Sequence, residues 1–126
     1  MNFELNGSGL KRENLIAEKT FSFSLQIISL FKKLKSENEF VISNQLIRSA
    51  TSIGANVEEA IAAQSRKDFI HKLSIASKEA RETKYWLRLL NESQITKIDV
   101  AKELEEINHI INILTKIIMT SQNNIK

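Results

Sequence analysis

No proline occurs in the 126 residues, and glycine occurs only three times. Proline fixes φ and glycine supplies positive φ, and together they build the tight reversals that hairpins, sandwiches, barrels and Rossmann domains require. A chain this poor in both cannot turn often. Two of the glycines, Gly7 and Gly9, stand in a polar N-terminal stretch, which leaves Gly54 alone for the remainder. Long helices are what such a sequence can form. The length is that of a single domain, and 42% apolar residues are enough to fill its core.

Apolar periodicity divides the chain into four helices. Residues 1–12 lack it and are expected to form a flexible tail, with residues 13–126 forming the bundle. The first helix is predicted from about Asn14 to Ser36, with Ile16, Phe23, Ile27, Leu30 and Leu34 on one face. The second is predicted from Asn44 to Gln64 behind an N-cap at Ser43, with Leu46, Ala50, Ile53, Val57 and Ile61 inward. A stripe of small residues, Ser49, Ser52, Asn56, Ala60 and Ala63, runs beside that face and predicts close helix packing. Gly54 costs up to about 1 kcal/mol against alanine within a helix, so it is expected to mark a close contact.

Ser65-Arg66-Lys67-Asp68 has the form of a capping box and opens the third helix, whose seam is Phe69, Leu73, Ala76, Ala80, Thr83, Leu87 and Leu90. Thr96-Lys97-Ile98-Asp99 repeats the capping pattern ahead of the fourth. There Val100, Leu104, Ile107, Ile111, Leu114 and Ile118 form a heptad seam. Four such helices joined by short connections predict an up-down-up-down antiparallel four-helix bundle.

Several classes of function fall away. Absence of cysteine excludes disulfides, thiolate metal sites and a cysteine nucleophile. No apolar run approaches the roughly 20 residues of a membrane span, and a cytoplasmic location with no membrane partner is expected. Glu106-x-x-His109 and Asp68-x-x-His71 echo the spacing of di-iron bundles, whose ligands project into the core. At about 100° per residue, however, His109 lies opposite Val100, and His71 lies about 160° from Leu87. Both histidines should point outward. No phosphate loop, catalytic triad or paired buried carboxylate is present, so no catalytic residue, metal site or cofactor is expected and the chain is not read as an enzyme.

Two surface features remain. Phe21, Leu25 and Ile28 lie about 140° around the first helix from its core seam, and Ile75, Trp86 and Leu89 lie off the seam of the third. A second apolar stripe that includes the single tryptophan predicts a subunit interface. On the third helix Lys78, Arg81, Lys84 and Arg88 occupy an arc of about 120°, Lys67 opens the same helix, and Lys32, Lys33 and Lys35 end the first. Such a stripe can follow a phosphate backbone, although Glu82 near Lys78 and Glu92 near Arg88 are expected to neutralise part of it. The formal charge of +3 permits a nucleic-acid partner without requiring one.

The segments from Gln45 to Ala60, from Ser65 to Ala76 and from Glu79 to Leu87 resemble the bacterial four-helix-bundle family of proteins encoded in intervening sequences of 23S ribosomal RNA genes, which also includes the accessory variability determinants of diversity-generating retroelements. The resemblance spans about residues 15–120, with Gly54 and Ala60 where the family usually has proline and glycine. It implies a non-enzymatic homopentamer, and retroelement members engage a reverse transcriptase–RNA complex through a basic surface. The favoured function is therefore an oligomeric bundle that binds structured RNA or a nucleoprotein through Lys67, Lys78, Arg81, Lys84 and Arg88. The alternative is a protein–protein scaffold or accessory subunit. Arg48, Asn56 and Glu59, within the best-matched stretch, are read as bundle-stabilising polar residues whose partners lie on other helices.

Overall fold

The computed structural model describes the backbone of residues 7–124 and the side chains of residues 13–124. Four helices follow one another: α1 (Gly7–Ser36), α2 (Val41–Ile61), α3 (Arg66–Ser93) and α4 (Ala101–Asn123). They pack in a ring, α1 on α2, α2 on α3, α3 on α4 and α4 on α1, with no close backbone approach across either diagonal among the described residues. This is the expected all-α four-helix bundle. No helix among the described residues is long and apolar enough to cross a membrane.

The cores of α1 and α3 follow the sequence closely. Ile16, Phe23, Ile27, Leu30 and Leu34 are buried on α1, and the buried residues of α3 are the seven of its expected seam. The small residues Ser49 and Ala60 of α2 and Ala63 just beyond it join the core, while Ile61 is only half-buried. Thr83 Oγ1 lies 2.8 Å from Ser49 Oγ, so two buried hydroxyls meet across α2 and α3 at a point of close approach. Gly54 is another: a β-carbon there would meet the Thr20 carbonyl oxygen of α1 at 3.5 Å. That distance is ordinary van der Waals contact, so the close approach is real but would accommodate alanine.

Several boundaries differ from the sequence expectation; α2 ends at Ile61 rather than Gln64, and the differing helix starts have local reasons. The helix of α1 begins at Gly7 rather than Asn14, since nothing in the polar stretch forbids helical φ and ψ. The remainder of the expected tail, residues 1–6, lies outside the described residues. Helix α2 starts at Val41, and Ser43 is an interior residue rather than its N-cap. The capping is done by Glu39, whose carboxylate accepts from the Ile42 N–H at 2.9 Å and the Ser43 N–H at 2.7 Å. Two carboxylate oxygens at the positive end of a helix outcompete one hydroxyl further along the chain.

Thr96 does not cap α4 either. Its hydroxyl oxygen accepts the Ile98 N–H within the connection, and Asp99 Oδ1 accepts the Ala101 N–H at 2.9 Å where α4 begins. The α4 seam is correspondingly rotated: Ile110 and Ile117 are buried, whereas Leu104 and Ile118 are only half-buried. Ser65 does cap α3, accepting the Asp68 N–H at 3.1 Å.

The reversal after α1 uses neither glycine nor proline. Asn38 adopts φ 65°, its N–H donates to the Lys35 carbonyl, and the Glu39 N–H donates to the Leu34 carbonyl. This is a Schellman closure with asparagine in the left-handed position, where its short polar side chain is tolerated.

Candidate nucleic-acid interface

The outer face of α3 follows from its inner one. Burying Phe69 to Leu90 at three- and four-residue steps turns the opposite positions, Lys67, His71, Lys78, Arg81, Tyr85 and Arg88, toward solvent, and all six are exposed. At about 100° per residue these six share an arc of about 100°. Lys84 is half-buried and borders the arc on the α4 side.

Charge pairing on this face is less complete than the sequence suggested. Glu82 does not neutralise Lys78; it is held on the α2 side, where Arg48 Nη2 donates to Glu82 Oε2 and the Trp86 Nε1–H donates to the same oxygen at 2.9 Å. Arg48 also reaches Glu79 at 3.5 Å. The expected Arg88–Glu92 pair does form, at 3.1 Å. Lys67, Lys78, Arg81 and Lys84 make no ion pair with any described residue. One arginine on α2 thus draws Glu79 and Glu82 of α3 away from its basic stripe.

Arg48 and Glu59 have the partners on another helix that their separation demands. Glu59 accepts from Lys72 of α3 at 3.0 Å. Asn56 departs from that expectation, since its amide donates to the Ser52 carbonyl within α2. These pairs are half-exposed and stabilise modestly. Their larger effect is to fix which edge of α3 is acidic.

The apolar surface residues divide by helix. Phe21 is 63% exposed and Leu25 54% exposed on α1. Phe21 borders a groove of about 260 Å³ between α1 and α2, floored by Ala17, Gly54 and Ala55. Ile28, Ile75, Trp86 and Leu89 are half-buried, and Trp86 packs against the core. Because α1 and α3 occupy a diagonal of the ring, the two sets lie at opposite corners of the bundle.

Both histidines are exposed on separate helices, as their phases required. His109 Nδ1 stands 3.6 Å from Glu106 Oε1, which in turn accepts from Lys19 of α1. Among the described residues no three His, Cys, Asp or Glu side chains are placed to hold a metal ion.

Tyr85 was passed over in the sequence because attention to charge skips aromatic residues. Its helical phase, between those of Lys78 and Arg81, would have placed it on the same face.

The fold and surface define an all-α four-helix bundle with a basic face on α3, partly paired through Arg88 and Glu92, and an exposed apolar corner on α1. The chain belongs to the 23S rRNA-intervening sequence protein family, whose model matches residues 12–116. It is similar to a crystallised protein of unknown function from the S23 ribosomal protein family of Bacteroides thetaiotaomicron VPI-5482. The two share 44% identity and superpose with a TM-score of 0.81, over 86% of this chain and 98% of that one. Comparison with curated proteins gives no match.

Proposed function

We propose that this chain is a non-enzymatic subunit of a homo-oligomer that binds structured RNA, alone or within a nucleoprotein, through the outer face of α3. The observation that carries this reading is the set Lys67, Lys78, Arg81 and Lys84, left without carboxylate partners among the described residues while Arg48 occupies Glu79 and Glu82. Cations presented along one side of a straight helix suit a polyanion, whose counterions they displace. Assembly strengthens the effect, because each added copy contributes another +3 of formal charge.

Diagonal placement of the Phe21–Leu25–Ile28 corner and the Ile75–Trp86–Leu89 corner supports a heterologous contact, in which each copy offers different surfaces to its two neighbours. Such contacts close into rings when the rotation between copies divides a full turn, and into open filaments otherwise; a ring is in keeping with the pentamer that the family resemblance implies. The proposed setting is cytoplasmic. The exposed Phe21 and Leu25 also favour a second reading, a protein–protein scaffold whose apolar α1 corner holds another protein and whose charge has no nucleic-acid role.

Fluorescence anisotropy of a structured RNA, titrated between about 50 and about 200 mM salt, separates the two. RNA binding predicts a log–log salt slope of several phosphates. Reversing Arg81→Glu and Arg88→Glu together should reduce that slope by about 1.4–1.8 while helicity and assembly persist. Absence of binding by the unmodified protein, or an unchanged slope in the double variant, would leave the scaffold reading.

A further inference from the structure

We propose that the α3 face takes RNA at an unpaired nucleotide, with Tyr85 as the platform on which its base stacks. The inference rests on the RNA-binding reading and specifies the ligand at that same site.

Tyr85 stands one helical turn from Arg81 and one from Arg88, within the arc that Lys78 and Lys67 share, and it is 54% exposed. A large ring with half its area in water contributes little to the core, which the Leu87 and Leu90 seam already fills. Its ring is held by a lateral neighbour. The Trp86 ring meets it in a T-shaped contact at 5.1 Å and 70°. Trp86 is in turn packed on the core and anchored by its N–H to Glu82, which Arg48 also grips. The ring therefore leans on a fixed neighbour, with cationic side chains before and after it along the helix.

Phosphate binding alone needs only the cations. In a paired helix the bases are stacked on one another, and a flat ring on a protein helix gains little from them. An unpaired base is different: it offers a free π-face, and aromatic rings between basic side chains bind such bases with little regard to sequence. The ligand class is thus RNA carrying a loop, bulge or single-stranded end, its flanking phosphates on Arg81, Lys78 and Arg88.

The test compares an RNA hairpin bearing an unpaired loop with a fully paired RNA duplex of equal length, at one salt concentration and again across a salt series. The proteins are the full chain, Tyr85→Ala, Tyr85→Phe and Arg81→Glu. Tyr85→Ala should weaken hairpin binding by roughly five- to 150-fold, the effect of losing one stacked base, with the salt slope unchanged. Tyr85→Phe should retain the affinity, and duplex binding should not respond to either substitution. Arg81→Glu should weaken both RNAs and reduce the slope. If Tyr85→Ala binds the hairpin as tightly as the unmodified protein while Arg81→Glu does not, the stacking proposal fails and the phosphate-binding reading stands. If the unmodified protein binds neither RNA, both fall together. Equal loss on hairpin and duplex in Tyr85→Ala would also overturn the proposal, because it would mark a general structural effect.

Discussion

Glu13 is the residue whose environment least suits its chemistry. It is only 4% exposed, and neither carboxylate oxygen has a hydrogen-bond partner among the described residues. Burial without a donor disfavours the charged form, and the pKa of Glu13 is raised above the usual carboxylate range for that reason. The direction of the linkage follows. Its favourable contribution is complete below the unfolded pKa, where the carboxyl is neutral in both states, and is lost as pH rises through the folded pKa. Replacing Glu13→Gln should therefore raise the urea midpoint at neutral pH. The gain should shrink toward zero as the pH falls below the ordinary glutamate value. A gain that is the same at both pH values would contradict this account of Glu13. No local pattern signals it, since glutamate on a polar stretch normally lies in water and its burial depends on what packs around α1.

At the scale of the element, helix starts distinguish what is local from what is not. Ser65 is legible because its side chain meets an N–H three residues on, a relation contained within the chain segment. Glu39 was missed because a carboxylate one residue outside a helix has no simple spacing rule, although its two oxygens do more than a single hydroxyl. Glu39→Ala should cost about 1–3 kcal/mol, since it leaves the Ile42 and Ser43 N–H groups without a charged acceptor at a nearly buried site. Ser65→Ala should cost about 1 kcal/mol. Paired urea denaturation of the two variants checks the order, and a smaller loss for Glu39→Ala would contradict the capping assignment. The rotated α4 seam has a related cause: Leu104 and Ile118 satisfy a heptad on paper, but the neighbouring helices bury Ile110 and Ile117.

Across the whole molecule, the ring order separates two kinds of surface. With α1 and α3 on a diagonal of the ring, the outward Phe21–Leu25 corner lies across the bundle from the outer basic stripe. The substitutions Phe21→Asp and Leu25→Asp, made together, should dissociate the proposed oligomer, since each such side chain contributes about 1.5–3 kcal/mol when buried. Helicity should be retained because both residues are exposed in the single chain. Sedimentation velocity with circular dichroism checks both halves of the expectation. An unmodified protein that sediments as a monomer, or a double variant that sediments as the same oligomer, would remove α1 from the interface.

What the sequence determined by itself was everything set by short-range periodicity and by the missing turn formers. That includes the number of helices, the buried seams of α1 and α3, the outward histidines and the arc occupied by the basic residues. These follow because side-chain direction repeats every 3.6 residues whatever the neighbours are. Only the tertiary structure decided which charges remain free. Glu82 is one turn from both Lys78 and Trp86, and nothing within α3 alone says which it will serve. Arg48, arriving from α2, pulls that carboxylate to one edge and leaves Lys78 and Arg81 without a carboxylate partner on the other. An ion pair between helices depends on where two distant segments meet, and that is fixed by the packing of the cores beneath them.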